Sequence, residues 1–163
     1  MTGTADIFDR LIQDHNLHRD LIARIERTSG DESVRAELFV RLTKELKSHA
    51  SAEEQALYST MMRKPETTDE TRHSVAEHHE IEVALNDLAA TELGSRDWDE
   101  KFGHLRHRYL HHIEEEEDEH FPDFAKYLTA DDEAHMRTVF ERRKAAECEQ
   151  AEVTPEPMEQ AKE

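Results

Sequence analysis

The sequence predicts an all-α protein: an up-down-up-down four-helix bundle, followed by an additional C-terminal helix and a disordered acidic tail. Two observations predict this class. The 163 residues contain only 4 Gly and 4 Pro and are rich in Glu, Ala, Leu, Arg and Lys, a composition that favours helices. Apolar residues also recur three and four positions apart in four successive segments, and no strand pattern appears. A chain of this length can form one domain with a buried core.

Four stripes of apolar residues locate the helices of the bundle. The first stripe stops near residues 28–30 and consists of Phe8, Leu11, His15, His18, Ile22 and Ile25. The second ends at Pro65 and consists of Val34, Leu38, Leu42, Leu46, His49, Glu53, Leu57 and Met61. The third starts around residues 67–69, closes at Gly94, and consists of Ser74, His78, Ile81, Leu85 and Leu88. The fourth follows a cap at Ser95 or Asp97, is stopped or kinked by Pro122, and consists of Phe102, Leu105, Tyr109, His112 and Glu116.

Two further segments follow the four stripes. A fifth helix is expected from about Asp131 to Gln150, with Met136, Val139 and Phe140 as its packing residues. Residues 151–163 are acidic, contain two prolines and carry almost no apolar residues, so we expect this tail to be disordered. The predicted organisation is therefore one domain, residues 1–150, with a tail of residues 151–163.

The composition also restricts the partners and the compartment. A formal net charge of -18 disfavours nucleic acid and anionic membranes, because both are bound through basic patches. The single cysteine, Cys148, excludes an intrachain disulfide framework and fits a reducing compartment. No apolar run approaches the ~20 residues of a membrane span, and the first residues do not have the pattern of a signal peptide. We therefore expect a soluble cytoplasmic protein, with its oligomeric state left open.

Polar residues interrupt all four stripes at positions where the helical period places the core. A buried imidazole or carboxylate is costly unless it is paired or bound to a metal. One inward histidine is usually a hydrogen-bonded core residue, but six inward ligand residues spread over four helices favour a metal site. The six candidates are His15, His49, Glu53, His78, His112 and Glu116.

The spacing of the candidates brings them to one level of the bundle. His49 and Glu53 are four residues apart, as are His112 and Glu116, so each pair shares a helix face. Counting from the predicted helix ends at ~1.5 Å per residue places all six in a layer about 9 Å thick. Four imidazoles and two carboxylates exceed the four donors of a normal zinc site, and they suit two iron or manganese ions bridged by carboxylates.

Four segments of the sequence are similar to the four helices of hemerythrin-like HHE cation-binding domains. They are DHNLHRDL, HASAEEQALY, AEHHEIEVALNDL and HIEEEEDEHFP, and the resemblance covers roughly residues 5–128. It implies a hemerythrin-like bundle whose cofactor is two iron ions, Fe2+ or Fe3+, held by the six candidates. Glu53 and Glu116 would bridge the irons, with an oxo or hydroxo group between them.

Ser74 differs from the residue found at this position in one group of similar proteins, the oxygen carriers. Oxygen-carrying hemerythrins have a histidine at the position of Ser74, four residues before His78. Without it, open metal positions favour chemistry with peroxide, nitric oxide or dioxygen, in a peroxide or nitrosative stress role. Whether this chemistry is enzymatic, for example catalase-like, stays open. Two alternatives also stay open: a module that senses oxygen, nitric oxide or iron and signals to a protein partner through the C-terminal region, and iron storage or donation for iron-centre repair.

Four further residues lie next to the candidates, and two of them have more than one interpretation. His18 is either a fifth histidine ligand or a hydrogen-bonded residue of the core. Tyr109 either hydrogen-bonds a bound ligand and shields the metals, or is ordinary core packing. Glu54 and Glu117 follow the two candidate carboxylates, and each is expected to hold the second nitrogen of a ligand histidine.

Overall fold

The computed structural model describes residues 6–28 and 31–158, and five helices account for most of them. Helix α1 is Ile7–Glu26 and α3 is Thr68–Ala89. Helix α2 continues from Glu32–Glu53 through a π-helical segment, Glu54–Tyr58, to a last turn, Ser59–Met61. Helix α4 likewise runs from Arg96–Glu115 through a π-helical segment, Glu116–His120, to Phe121–Ala125, and α5 is Ala130–Gln150. The predicted all-α class is confirmed, since the described residues contain no strand.

Side chains at the helix starts explain where several helices begin. Ser95, one of the two predicted caps of α4, accepts a hydrogen bond from the backbone N–H of Trp98, at 3.0 Å. Thr129 and Asp132 form a reciprocal capping box at the start of α5. Val34 is 41% exposed and so does not belong to the apolar stripe of α2 on which the spacing placed it. None of the helices in the described ranges combines the length and hydropathy that a membrane crossing needs.

The apolar core is divided into two clusters, one towards each end of the bundle. Leu21, Leu42, Leu85 and Leu105 belong to the first, which also contains Trp98. The second contains Leu11, Leu57, Met61, Phe121 and Phe124. Along each of the first four helices, the predicted ligand residues lie between the segments that enter these two clusters. The fold therefore places a polar layer between two apolar ones.

Pro122 does not stop α4, which continues to Ala125. The π-helical segment ends at His120, two residues before the proline, and π turns are a recognised way for a helix to accommodate a locally interrupted hydrogen-bond ladder. The spacing rule, which assumes 3.6 residues per turn throughout, did not predict this change of helix type.

Helix α5 packs along α1 and α2, outside the four-helix bundle. Its buried residues are Met136, Phe140 and Lys144. The Phe140 ring centroid is 5.6 Å from that of His49, and the Arg10 guanidinium lies over the Phe140 ring, 5.0 Å from its centroid. Helix α5 therefore covers one wall of the polar layer.

Residues 151–158 differ from the expectation of a disordered tail. The backbone N–H of Glu156 donates to the carbonyl oxygen of Asn86, at 2.9 Å, and that of Met158 donates to Asp87 Oδ1, also at 2.9 Å. Lys47 Nζ donates to the carbonyl oxygen of Glu152, and Val153 packs against the first apolar cluster. These contacts fix the segment on the bundle despite its acidic, proline-containing composition. Residues 159–163 lie outside the described residues.

Candidate metal centre

The six predicted ligand residues come together in the polar layer between the apolar clusters. All are buried, with exposures between 0% and 8% of each residue. Helix α1 contributes His15, α2 contributes His49 and Glu53, α3 contributes His78, and α4 contributes His112 and Glu116. All four bundle helices thus supply donors to one place.

The two carboxylates lie between two pairs of histidines. His15 and His49 form one pair, with ring centroids 5.2 Å apart, and His78 and His112 form the other, at 4.9 Å. Glu53 Oε1 is 3.6 Å from His49 Nε2 and 3.2 Å from His78 Nε2. Glu116 Oε1 is 3.3 Å from His15 Nε2 and 3.5 Å from His112 Nε2. Oε1 of each carboxylate therefore approaches one histidine of each pair.

A closed ring of carboxylate–histidine hydrogen bonds surrounds these donors. Each helix of the bundle presents a carboxylate to the histidine of the next helix, and α4 presents one to α1. In each bond the histidine Nδ1–H donates to the carboxylate, at 2.7–2.8 Å. The bonds join His49 to Asp14, His78 to Glu54, His112 to Glu77, and His15 to Glu117. The predicted role of Glu54 and Glu117 is confirmed, whereas Asp14 and Glu77 were not predicted.

The ring determines which nitrogen of each histidine is free. With Nδ1 engaged by a carboxylate, Nε2 points towards the centre of the layer, as it does in metal sites whose histidines are held by outer carboxylates. Burial lowers the pKa of His49 to about 3 and outweighs the effect of Asp14, which raises it. His49 is therefore neutral at pH 7, and its Nε2 lone pair is available to a cation.

The two central carboxylates have different pKa values in the metal-free protein. Burial raises the pKa of Glu53 well above its ordinary value, and the nearby Glu116 raises it further. Burial also acts to raise the pKa of Glu116, but His112 and His15 outweigh it and lower that pKa well below the usual range. Burial lowers the pKa of His15, but the nearby carboxylates of Glu116 and Glu117 raise it to about 9. The metal-free centre thus retains protons that a cation would displace.

Both π-helical segments begin beside a central carboxylate. Five residues are about 140° apart in an α-helix, so the spacing rule places Tyr58 on a different face from Glu53. The wider π turn instead brings Tyr58 inward, where it is 2% exposed and its hydroxyl donates to Glu116 Oε2. Tyr58 is therefore a residue of the centre that helical spacing could not reveal.

His18 and Tyr109 interact directly with each other at the edge of the centre. His18 Nδ1 is hydrogen-bonded to the Tyr109 hydroxyl at 2.6 Å, and both residues are at least 96% buried. His18 Nε2 faces Glu45 Oε1 at 3.4 Å, and its ring centroid is 5.2 Å from that of His49. His18 has donor atoms close to those of Asp14 and His49, but not to the two central carboxylates. The structure thus places His18 beside the histidine pair of α1 and α2.

Lys144 extends the hydrogen-bonded network into α5. Its Nζ donates to Asp14 Oδ2 and to Glu45 Oε1, both at 2.8 Å. The same Asp14 oxygen accepts the Nδ1–H of His49. Lys144 is 9% exposed, so a buried ammonium joins two carboxylates that are in contact with His49 and His18. The charged sequence of α5 gave no sign of this role, because only tertiary packing brings Lys144 to Asp14.

The centre contains more unpaired buried polar atoms than a metal-free core would tolerate. Buried atoms without a hydrogen-bond partner include one nitrogen from each of three histidines and three oxygens of the two central carboxylates. They are Nε2 of His15, His49 and His112, both oxygens of Glu53, and Oε1 of Glu116. Leaving such atoms unpaired is costly, whereas a metal ion satisfies them together. Mixed imidazole and carboxylate donors suit iron or manganese, so the residues fit the proposed pair of ions.

A sequence model of the family described as the hemerythrin HHE cation binding domain matches residues 6–124, more than half of the chain. The chain belongs to the hemerythrin HHE family. No curated protein and no solved structure matches it. The matched residues cover α1 to α4, except for the last residue of α4, and include all six candidate ligands. The predicted family is confirmed. Helix α5, with Phe140 and Lys144, lies outside the matched hemerythrin residues.

Proposed function

We propose that the chain binds two iron ions at His15, His49, Glu53, His78, His112 and Glu116. The convergence of unpaired Nε2 and carboxylate oxygen atoms is the observation that carries this proposal. Two groups of donor atoms, each compact enough for one ion, share Glu53: one also contains His15 and His49, and the other contains His78, His112 and Glu116. Glu53 and Glu116 then serve as the bridging carboxylates.

We further propose that the iron pair reacts with peroxide, with nitric oxide and dioxygen as related ligands. A bound iron pair supplies redox electrons and coordination positions for small oxygen-containing molecules. Ser74, at the position of the additional histidine of oxygen carriers, supplies no imidazole, and its hydroxyl is hydrogen-bonded to His120 Nδ1 at 3.0 Å. The donor set of the α3 and α4 side is therefore limited to two imidazoles and the shared carboxylates, which leaves room for a substrate.

A cavity of about 370 Å³ between α2 and α3 gives small molecules a route to these donors. Its lining includes His49, His78 and His112, together with apolar side chains such as Leu46 and Val75. Tyr109 also lines the cavity, and burial, followed by the charge of Glu116, raises its pKa well above the ordinary value. Tyr109 thus stays protonated and can hydrogen-bond a molecule that enters.

The first experiment measures metals and spectra of the protein purified from iron-supplemented cells. We expect about two irons per chain, an oxo-bridge absorption band, and oxygen release when peroxide is added. His78→Ala is expected to lose iron and oxygen release. His104→Ala, which removes an exposed histidine that does not line the cavity, is the control and should behave as wild type. Zinc, a single metal ion or none in the wild-type protein would refute the iron pair.

A sensing function is the second candidate, and the link between α5 and the centre favours it. Because Lys144 and His49 share Asp14, a change at the histidines would reach the helix that leads to the C-terminal segment. This function predicts a reversible spectral change with oxygen or nitric oxide and no turnover of peroxide. It also predicts that ligand alters the proteolysis rate of residues 151–158, and identical rates in both states would contradict it.

A further inference from the structure

A second group of metal-binding side chains lies on α3 and α4, outside the centre described above. His73 Nε2 is 3.1 Å from Glu115 Oε1 and 3.3 Å from Glu77 Oε2. Donor atoms around a tetrahedral ion with bonds of about 2.0–2.1 Å are separated by roughly 3.3 Å, so this spacing suits a transition metal ion. His73 is half-exposed, with 53% of its side chain accessible, and an ion can therefore reach the group directly from solvent.

His120 distinguishes this group from an ordinary surface ion pair. It is 95% buried, with 5% of the residue exposed, and its Nδ1 is fixed by the Ser74 hydroxyl at 3.0 Å. Its Nε2 faces Glu115 Oε1 at 4.0 Å, which is beyond hydrogen-bonding distance. A buried imidazole oriented by a neighbour, with its other nitrogen directed at a carboxylate, has the arrangement of a metal ligand. The π-helical segment of α4, which ends at His120, turns this residue towards Ser74.

The geometry points to a separate site for one divalent transition metal ion at His73, Glu77 and Glu115, whose donor atoms lie within 4.8 Å of one another. His120, 4.0 Å from Glu115, is the second imidazole and moves towards the ion when it binds. This donor set suits Fe2+, Co2+ or Zn2+ better than Mg2+ or Ca2+, which prefer oxygen ligands alone. Glu77 connects the site to the central layer, since its Oε1 accepts the Nδ1–H of His112 while its Oε2 faces His73. An ion on this outer face would thus be linked to the central layer through the Glu77 carboxylate and the His112 imidazole.

Equilibrium dialysis of the full chain against Co2+ tests the site, with visible spectra to report the coordination. His73→Ala removes a half-exposed donor and leaves Glu77 with His112, so the fold and the central layer should be retained. We expect wild type to bind one more Co2+ per chain than His73→Ala, or at least 10-fold more tightly at this site. This difference in Co2+ binding between wild type and His73→Ala should be the same in iron-loaded and metal-free protein. The test therefore does not depend on whether the centre binds an iron pair.

Two further variants make the result specific. His104→Ala removes an exposed histidine from α4 that belongs to neither site, and its Co2+ binding should match that of wild type. Ser74→Ala leaves all four donors in place but frees His120 Nδ1, and we expect Co2+ binding to weaken by about 10- to 100-fold. Equal Co2+ binding by wild type and His73→Ala would overturn the site. Equal losses in His73→Ala and His104→Ala would overturn it too, because they would indicate unspecific binding by surface histidines.

Discussion

Replacement of Lys144 by methionine is expected to destabilise the metal-free protein by about 2–4 kcal/mol, even though this residue lies outside the matched family region. Methionine keeps most of the buried volume of the lysine stem, so the change isolates the loss of the ammonium group. The variant leaves Asp14 and Glu45 without the cation that contacts both of them at 2.8 Å. Removing one partner of a buried ion pair is costly because the other charge stays buried without compensation.

The size of this free-energy loss depends on the contacts that Asp14 and Glu45 make and on those that they keep in the variant. A hydrogen bond to a charged group contributes about 1.5–3 kcal/mol, and Lys144 makes two such bonds. Asp14 keeps its hydrogen bonds with Arg10, at 2.5 Å, and with His49, so it loses only part of its stabilisation. Glu45 retains only the 3.4 Å contact with His18, and its side chain is 18% exposed, so water compensates part of its loss. For a chain of this size, a loss of 2–4 kcal/mol lowers Tm by about 4–16 °C.

Urea denaturation followed by far-UV circular dichroism measures the effect in the absence of metal. Lys126→Met is the matched control, because the Lys126 side chain is 69% exposed and pairs only with Asp123, three residues earlier in the chain. We expect its free energy of unfolding to lie within about 0.5 kcal/mol of wild type. A Glu45→Gln change in the Lys144→Met background should recover part of the loss, since it removes one uncompensated charge. Equal stabilities of the Lys144→Met and Lys126→Met variants would refute the inferred role of Lys144.

Three further predictions concern other parts of the molecule. Phe140→Ala should cost about 3–5 kcal/mol of unfolding free energy in urea melts, and Phe140→Leu clearly less, because the ring is fully buried against His49. Tyr58→Phe should weaken iron retention against a chelator by about 10- to 100-fold, since Glu116 loses its donor; unchanged retention would contradict this. Burial and the neighbouring Asp123 raise the pKa of Glu70 to about 7, so the folded state retains a proton that the unfolded state has lost. Stability should therefore fall between about pH 4.5 and 7, and Glu70→Gln should flatten this part of the stability profile.

The sequence predicted the features that depend on a regular helical period. The four apolar stripes located α1 to α4, and the four-residue spacing of His49 with Glu53 and of His112 with Glu116 brought both pairs to the same layer. The roles of Glu54 and Glu117 followed from their positions beside the central carboxylates. These predictions depend only on 3.6 residues per turn and on the cost of burying polar groups, and both can be read from one sequence.

The features that were missed depend on a change of helical period or on packing between distant segments. Tyr58 belongs to a π-helical turn, where counting at 3.6 residues per turn gives the wrong face. Lys144 is more than a hundred residues from Asp14 in the chain and carries a charge typical of a solvated surface. Residues 151–158 have the composition of a disordered segment, and tertiary contacts with α2 and α3 and with the first apolar cluster hold them in place.

The ring of carboxylate–histidine bonds has a consequence for the handedness of the bundle. Four helices with similar apolar stripes could in principle be arranged in either rotational order, because both orders bury the same side chains. Each ring carboxylate is adjacent in sequence to an inward residue and is therefore turned about 100° to one side of it. In the mirror order, Asp14 would face α4, while its partner His49 would lie on the opposite side. The ring thus makes only one of the two orders compatible with four satisfied histidines, and the outer hydrogen bonds of the site also specify the topology of the fold.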